Sequence, residues 1–126
     1  MSFAEAIRFI KEVESVFRTM DLQSIVGLFT ESASIKLPFA PAVVGRKSIA
    51  EFFRARYADI THYSLDKEVV AVHENRIAVK LQAQWRSAAT GALHRSSAME
   101  VLTVEVGRIA VWEMVSVSQA AEEVRA

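Results

Sequence analysis

The run Leu28-Phe29-Thr30-Glu31-Ser32-Ala33-Ser34-Ile35-Lys36-Leu37-Pro38, followed by Gly45-Arg46-Lys47-Ser48-Ile49 and Phe52-Phe53, decides the fold. It reads as a helix end, a strand stopped by proline, a glycine hinge and a new amphipathic helix. Asp21 is a good N-cap for the short helix in which Ile25, Val26, Leu28 and Phe29 face inward. Ser32 to Leu37 alternates as a strand does, and Pro38 with Pro41 confines Phe39-Ala40 to an extended edge or loop. Gly45 then opens a helix whose apolar stripe is Ile49, Phe52, Phe53, Tyr57 and Ile60.

Upstream, Ser2 and Glu5 have the spacing of a capping box. Phe3, Ile7, Ile10, Val13 and Phe17 follow at helical spacing, which predicts a long first helix with one buried stripe. From Tyr63 the period changes to two. Breaks at Glu74-Asn75, Ala88 to Gly91 and Val106-Gly107 divide the rest into strands at Tyr63–His73, Arg76–Arg86, Ala92–Glu105 and Arg108–Ser118, with a polar tail from Gln119 to Ala126. Connections this short favour an antiparallel meander. Three helices followed by a meander predict one α+β domain over residues 1–126, with the helices on one face of the sheet. In the second meander strand, Ile77, Val79, Leu81, Ala83 and Trp85 share one face, and Lys80, Gln82, Gln84 and Arg86 the other. The third is apolar on both faces near its end, with Leu102 and Val104 on one and Met99 and Val101 on the other. That suggests a partner subunit on the face the helices leave open.

Composition narrows the functional classes. Of 126 residues, 52% are hydrophobic, which is enough for a core, a lined cavity and a subunit interface together. Fifteen basic residues balance fifteen acidic ones without blocks, so nothing points to nucleic acid or to a charged membrane surface. The absence of cysteine removes disulfides, thiolate metal sites and cysteine nucleophiles, and it fits a cytoplasmic protein. Charges throughout Met1 to Phe17 leave no uncharged run for a signal or a membrane span, so the chain reads as soluble and unexported.

In element order, nearly the whole chain resembles the nuclear transport factor 2-like superfamily, which includes ketosteroid isomerases and SnoaL-like polyketide cyclases. The local marks are Asp21-Leu22, Leu28-Phe29, Gly45-Arg46 with Ile49, and Gly107-Arg108-Ile109 before the last strand. Tyr63-Ser64-Leu65-Asp66-Lys67-Glu68 followed by Asn75-Arg76-Ile77-Ala78-Val79 is similar to an uncharacterised subgroup. The resemblance implies a curved sheet wrapped around helices into a cone with an apolar cavity, often as a homodimer. It also implies where catalytic groups would stand. The base of ketosteroid isomerases falls at Leu37, their oxyanion-holding tyrosine at Val13 and their second acid near Met99. The closing aspartate of SnoaL-like cyclases falls in Ser116-Val117-Ser118-Gln119. No known catalytic set transfers intact, which argues against both of those activities.

The candidates for chemistry therefore lie elsewhere. Glu100 shares a strand face with His94, Ser96, Ala98, Leu102 and Val104. If that face looks into the cone, Glu100 is a candidate general base and His94 or a tyrosine a candidate acid. Alternatively, Glu100 forms a structural pair with Arg95, Arg86 or Lys80. His94 is six residues from Glu100, roughly 20 Å along an extended strand, so the two cannot touch. Trp85 and Trp112 are either cavity walls or ordinary core, and Tyr57 and Tyr63 stand near a cavity mouth or on its rim. The expected pocket lining is Leu37, Phe39, Phe53, Tyr57, Leu81, Trp85, Leu102, Trp112 and Met114. His62, His73 and His94 lack metal-ligand spacing, and the four glycines are too dispersed for a phosphate loop, so no metal and no cofactor is expected. Two functions remain: an acid–base isomerase or lyase acting on a small hydrophobic molecule, or a non-catalytic ligand-binding or dimerisation module.

Overall fold

A computed structural model describes residues 1–121. The order is α1 (Phe3–Thr19), α2 (Leu22–Gly27), β1 (Phe29–Lys36), β2 (Val43–Val44), α3 (Arg46–Tyr57), β3 (Ile60–His73), β4 (Arg76–Ser87), β5 (Leu93–Glu105) and β6 (Arg108–Ala120). The helices pack on one face of a six-stranded, curved and unclosed sheet of order β2-β1-β6-β5-β4-β3. The predicted α+β class and the antiparallel meander are both present. One pairing departs from the antiparallel rule: β1 lies parallel to β6, with Phe29 opposite Ile109 and Lys36 opposite Glu113.

Long-range pairing moved several boundaries. Phe29, expected to close α2, instead begins β1, because the neighbouring Leu28 carbonyl accepts the Ile109 N–H at 2.8 Å and draws the chain into the sheet. Val43 and Val44 form a short edge strand against Ile35 and Ser34. Ile60 leaves the α3 stripe to open β3. The last strand runs to Ala120, two residues beyond its predicted end. The rest of the expected polar tail, 122–126, lies outside the described residues.

The capping box of Ser2 and Glu5 is formed in both directions. The buried stripe of α1 is Ala6, Ile10, Val13 and Phe17. Counting back from Phe17 by helical steps reaches Ala6, so Ile7 is only half buried and Phe3 stays exposed. Asp21 caps α2 by accepting the Ser24 N–H at 3.1 Å. Gly45 enters α3 at φ 87°, a conformation that glycine adopts without a steric penalty, and its N–H is bonded to the Ala33 carbonyl at 2.8 Å. Arg46 donates twice to the Phe29 carbonyl, at 2.7 and 3.1 Å, and so locks α3 to the root of β1.

These fastenings gather an aromatic core between the helices and the concave sheet face. Phe53 is fully buried, stacks on Trp112 with ring centres 5.4 Å apart, and meets Phe17 edge-on at 5.5 Å. Phe29 closes the group at 6.0 Å from both Phe53 and Trp112. The core fills one end of the cone and leaves the other end open.

Candidate functional site

Alternation along the four long strands sorts the concave face from closed end to mouth. On β4 it runs Ile77, Val79, Leu81, Ala83, Trp85; on β5, Val104, Leu102, Glu100, Ala98, Ser96, His94; on β6, Trp112, Met114, Ser116, Ser118. Apolar side chains occupy the closed end, and serines, Trp85 and His94 the open one. The predicted inner face of β4 and the shared face of Glu100 are both as the periodicity indicated.

Glu100 is buried within the cone, and its partner is none of the three cations the sequence suggested. Lys67 Nζ, on β3, lies 2.6 Å from Glu100 Oε1, with both side chains essentially inaccessible to solvent. The other carboxylate oxygen accepts the indole N–H of Trp112. The lysine ammonium also sits 5.4 Å from the ring centre of Phe17 and 5.7 Å from that of Trp112, close enough for both π faces to stabilise its charge. The Lys67 backbone N–H donates to Glu14 on α1 at 2.7 Å, and Glu14 in turn pairs with Arg18 at 2.9 Å. Arg95, Arg86 and Lys80 are on the opposite sheet face, which excludes them as partners.

Two spaces lie between this pair and the mouth, and only the inner one touches it, through Lys67. The larger, about 390 Å³, opens at the mouth and includes Arg56, Tyr57, Asp59, Tyr63, Trp85 and His94 in its lining. The smaller, about 20 Å³, lies deeper, among Arg56, Tyr57, Tyr63, Lys67, Trp112 and Met114. It holds roughly one water molecule. Arg56, Tyr57, Tyr63 and Leu81 line both spaces and form the neck between them. A wider groove of about 450 Å³ runs over the outer sheet face along Ser64, Asp66, Gln82, Gln84 and Arg95, but no buried ionisable group adjoins it.

The neck is built from two phenols, Tyr57 and Tyr63, with ring centres 5.6 Å apart. Burial pushes the Tyr57 hydroxyl well above its ordinary value, and Tyr63 and the Glu100 charge push it further in the same direction. Burial raises Tyr63 as well. Both therefore stay protonated, and the Tyr57 hydroxyl is bonded to that of Tyr63, which leaves the Tyr63 hydroxyl as the donor free for a ligand. At the rim, Asp59 accepts from the Ser87 hydroxyl at 2.5 Å and the Ala89 N–H at 2.9 Å, and these bonds hold its carboxyl below the usual range.

The expected site residues divide accordingly. Tyr57 and Leu81 line both spaces, Trp85 and His94 the outer one, and Trp112 and Met114 the inner one. His94 stacks face to face on Trp85, ring centres 5.8 Å apart, far up the strand from Glu100. Phe53 and Leu102 are solid core, and half-buried Leu37 packs against that core beyond the end of β1. Phe39 must be corrected: it projects fully into solvent from the turn after Pro38, at φ 58°, because the chain reverses there to form β2. Lys67 and Arg56 were missed. A signal existed for Lys67, since Tyr63, Leu65, Lys67 and Val69 alternate inward on β3, and a lysine in an apolar row marks a buried cation. Among the described residues no cluster could hold a metal ion, and no helix is long and apolar enough to cross a membrane.

This architecture, a cone of helices on a curved sheet with ionisable groups inside, is that of the nuclear transport factor 2-like proteins. Residues 9–112 match the SnoaL-like domain, and the chain belongs to that family. Among solved structures it is similar to a putative isomerase from Bacillus subtilis, at 22% identity and TM-score 0.78, covering 92% of this chain and 89% of that one. It is also similar to SalBIII, described as an epoxide hydrolase/cyclase-like enzyme in pyran ring formation in salinomycin, at 18% identity and TM-score 0.81, covering 94% and 97%. A third is a protein of unknown function from Burkholderia pseudomallei, at 17% identity and TM-score 0.75, covering 91% of each chain. At these identities the likeness is one of fold. No curated protein sequence is similar enough to match.

Two outcomes follow from the site. Lys67→Met and Glu100→Gln each leave a buried charge without its partner and should lower unfolding free energy by about 3–5 kcal/mol. In urea denaturation the double variant should lose less than the sum of the two, by about 1 kcal/mol or more, and strict additivity would show the groups to be uncoupled. The second outcome concerns the phenols. Because both tyrosines are raised above the ordinary value of 10.0, the folded chain keeps protons that the unfolded chain releases. Stability should therefore fall as pH rises above that value, and phenolate absorbance should appear only with unfolding. A native-state phenolate signal at the ordinary tyrosine value would contradict this.

Proposed function

We propose that this protein binds a small, largely apolar organic molecule in the cone and performs acid–base chemistry on it, as an isomerase or lyase. The observation that carries the proposal is the wholly buried Lys67–Glu100 pair at the inner end of an open cavity. Two desolvated charges are an expensive way to fill a core that apolar side chains could fill as well, so a chemical role accounts for them better than packing does. The cavity volume is in the range of small-molecule sites, and Trp85, Tyr57, Tyr63 and Leu81 offer it flat apolar walls. A proton can pass between Nζ and Oε1 across 2.6 Å. With the proton on Glu100, Lys67 is a free amine able to accept one from a ligand. With it returned, Lys67 can donate to a ligand oxygen. His94 stands too near the mouth to join that exchange, and contributes to ligand binding through its stack on Trp85.

One observation favours the non-catalytic alternative. Both Glu100 oxygens are already engaged, and the space beside the pair admits about one water. Hydrogen–deuterium exchange at the ligand separates the two readings. Incubated in deuterated water with a panel of hydrophobic ketones and enones, the protein should exchange an α-hydrogen of at least one, as seen by NMR. Lys67→Met and Glu100→Gln should abolish that exchange while ligands still quench Trp85 fluorescence. Binding without exchange across the panel would favour the passive module.

The proposal extends to a second copy of the chain on the outer sheet face. Met99, Val115 and Val117 are exposed there on adjacent strands, Met99 directly opposite Val115, and they border an apolar groove of about 280 Å³. An antiparallel sheet face left to water is normally polar. The lack of cysteine supports a cytoplasmic setting for such a dimer. Light scattering should give a dimer mass for the native chain and a monomer mass for Met99→Glu/Val117→Glu. A native monomer at micromolar concentration would overturn this assignment.

A further inference from the structure

The lining of the inner space is one-sided in its chemistry. Arg56 and Lys67 supply cations, Tyr57 and Tyr63 supply hydroxyls that stay protonated, and the remaining walls are apolar: Phe17, Leu65, Leu81, Trp112 and Met114. No carboxylate is in that lining. Glu100 lies behind Lys67 and acts on the space through it. The Trp112 N–H is turned away, spent on Glu100. A space bordered by donors and hydrocarbon receives an acceptor, and the charges say which kind. Two cations against one carboxylate leave a single positive charge at this end of the cone. Glu100 partners Lys67, whereas Arg56 takes part in no ion pair among the described residues and only rests over the Phe52 ring at 5.7 Å. The rim carboxylate, Asp59, forms no ion pair with Arg56 among the described residues; it is bonded to Ser87 and Ala89 and keeps its negative charge at the mouth, away from the inner space.

We infer that the ligand is an amphipathic monoanion, a flat hydrophobic carboxylate that enters oxygen first. One carboxylate oxygen fills the inner space beside Lys67 and the phenols, the other meets Arg56 at the neck, and the ring system lies in the outer cavity along Trp85 and Leu81. The ligand charge neutralises the excess positive charge, which a neutral ketone of the same shape would leave uncompensated. Arg56 is the determinant of this preference, because Lys67 is already balanced by Glu100. This assignment rests on the reading of the cone as a small-molecule site and names the chemistry of its ligand.

The test uses matched pairs of aromatic carboxylic acids and their primary carboxamides, such as naphthoic, biphenylcarboxylic and cinnamic acids, titrated into the full chain with tryptophan fluorescence as readout. For the pair that fits best, the acid should bind about tenfold more tightly than the amide, as a charge-assisted contact in place of a neutral one predicts. Arg56→Gln, at an exposed position where folding is not at stake, should reduce that ratio to near one by weakening the acid far more than the amide. Equal affinity for acid and amide in the native chain, or an acid preference that survives Arg56→Gln, would overturn the inference and leave the small-molecule site standing. If neither member of any pair bound at millimolar concentration, the small-molecule reading would fall with it.

Discussion

A single buried contact, Lys67 with Glu100, and the bonds around it tie three strands and the first helix together at one point. Lys67 belongs to β3, Glu100 to β5, and the indole that completes the carboxylate's bonding belongs to β6. The backbone of the same lysine holds α1 through Glu14. The pair therefore crosses the concave face over β4 and sets the distance between its outer strand and its centre. Because neither charge can be left alone in a low dielectric, the strands cannot slide by one residue without exposing both. That requirement also shapes the aromatic core, since Phe17 and Trp112 must present ring faces to the ammonium as well as fill volume.

The cavity follows from the same arrangement. Large side chains occupy the closed end of the cone, while the inward positions nearer the mouth carry Ala83, Ser96, Ser116 and Ser118. Small residues on a curved sheet leave space, and Tyr57 with Tyr63 divides that space into an outer room and a deep, narrow one. The buried ionisable groups are concentrated at the deep end, where burial strengthens every electrostatic contact. The mouth is polar but already bonded within itself at Asp59.

Much of the fold was legible in the sequence because it depends on local periodicity. The helix stripes, the proline stop and the three hairpin breaks are patterns of near neighbours, and counting alone puts Glu100 on one strand face with Ala98 and Leu102 without saying which way that face looks. The deviations occur where distant strands decide. Phe29 has the surroundings of a helix end yet pairs with Ile109, and Ile60 completes a helical stripe yet opens a strand. Phe39 has the composition of a pocket residue, but the reversal between β1 and β2 directs it to solvent. Lys67 was overlooked because lysine on a strand is ordinarily read as a surface residue, although its apolar neighbours two positions away on either side indicated burial.

By itself, then, the sequence determined the element order, the class of fold and which strand residues share a face, since all three follow from spacing along one chain. Only the tertiary structure decided that Glu100 meets Lys67 and Trp112 instead of the cations the sequence suggested, and that Arg56 and Lys67 border one small space. Those are relations between side chains dozens of residues apart. Strand order, register and curvature fix them, and no local pattern records any of the three.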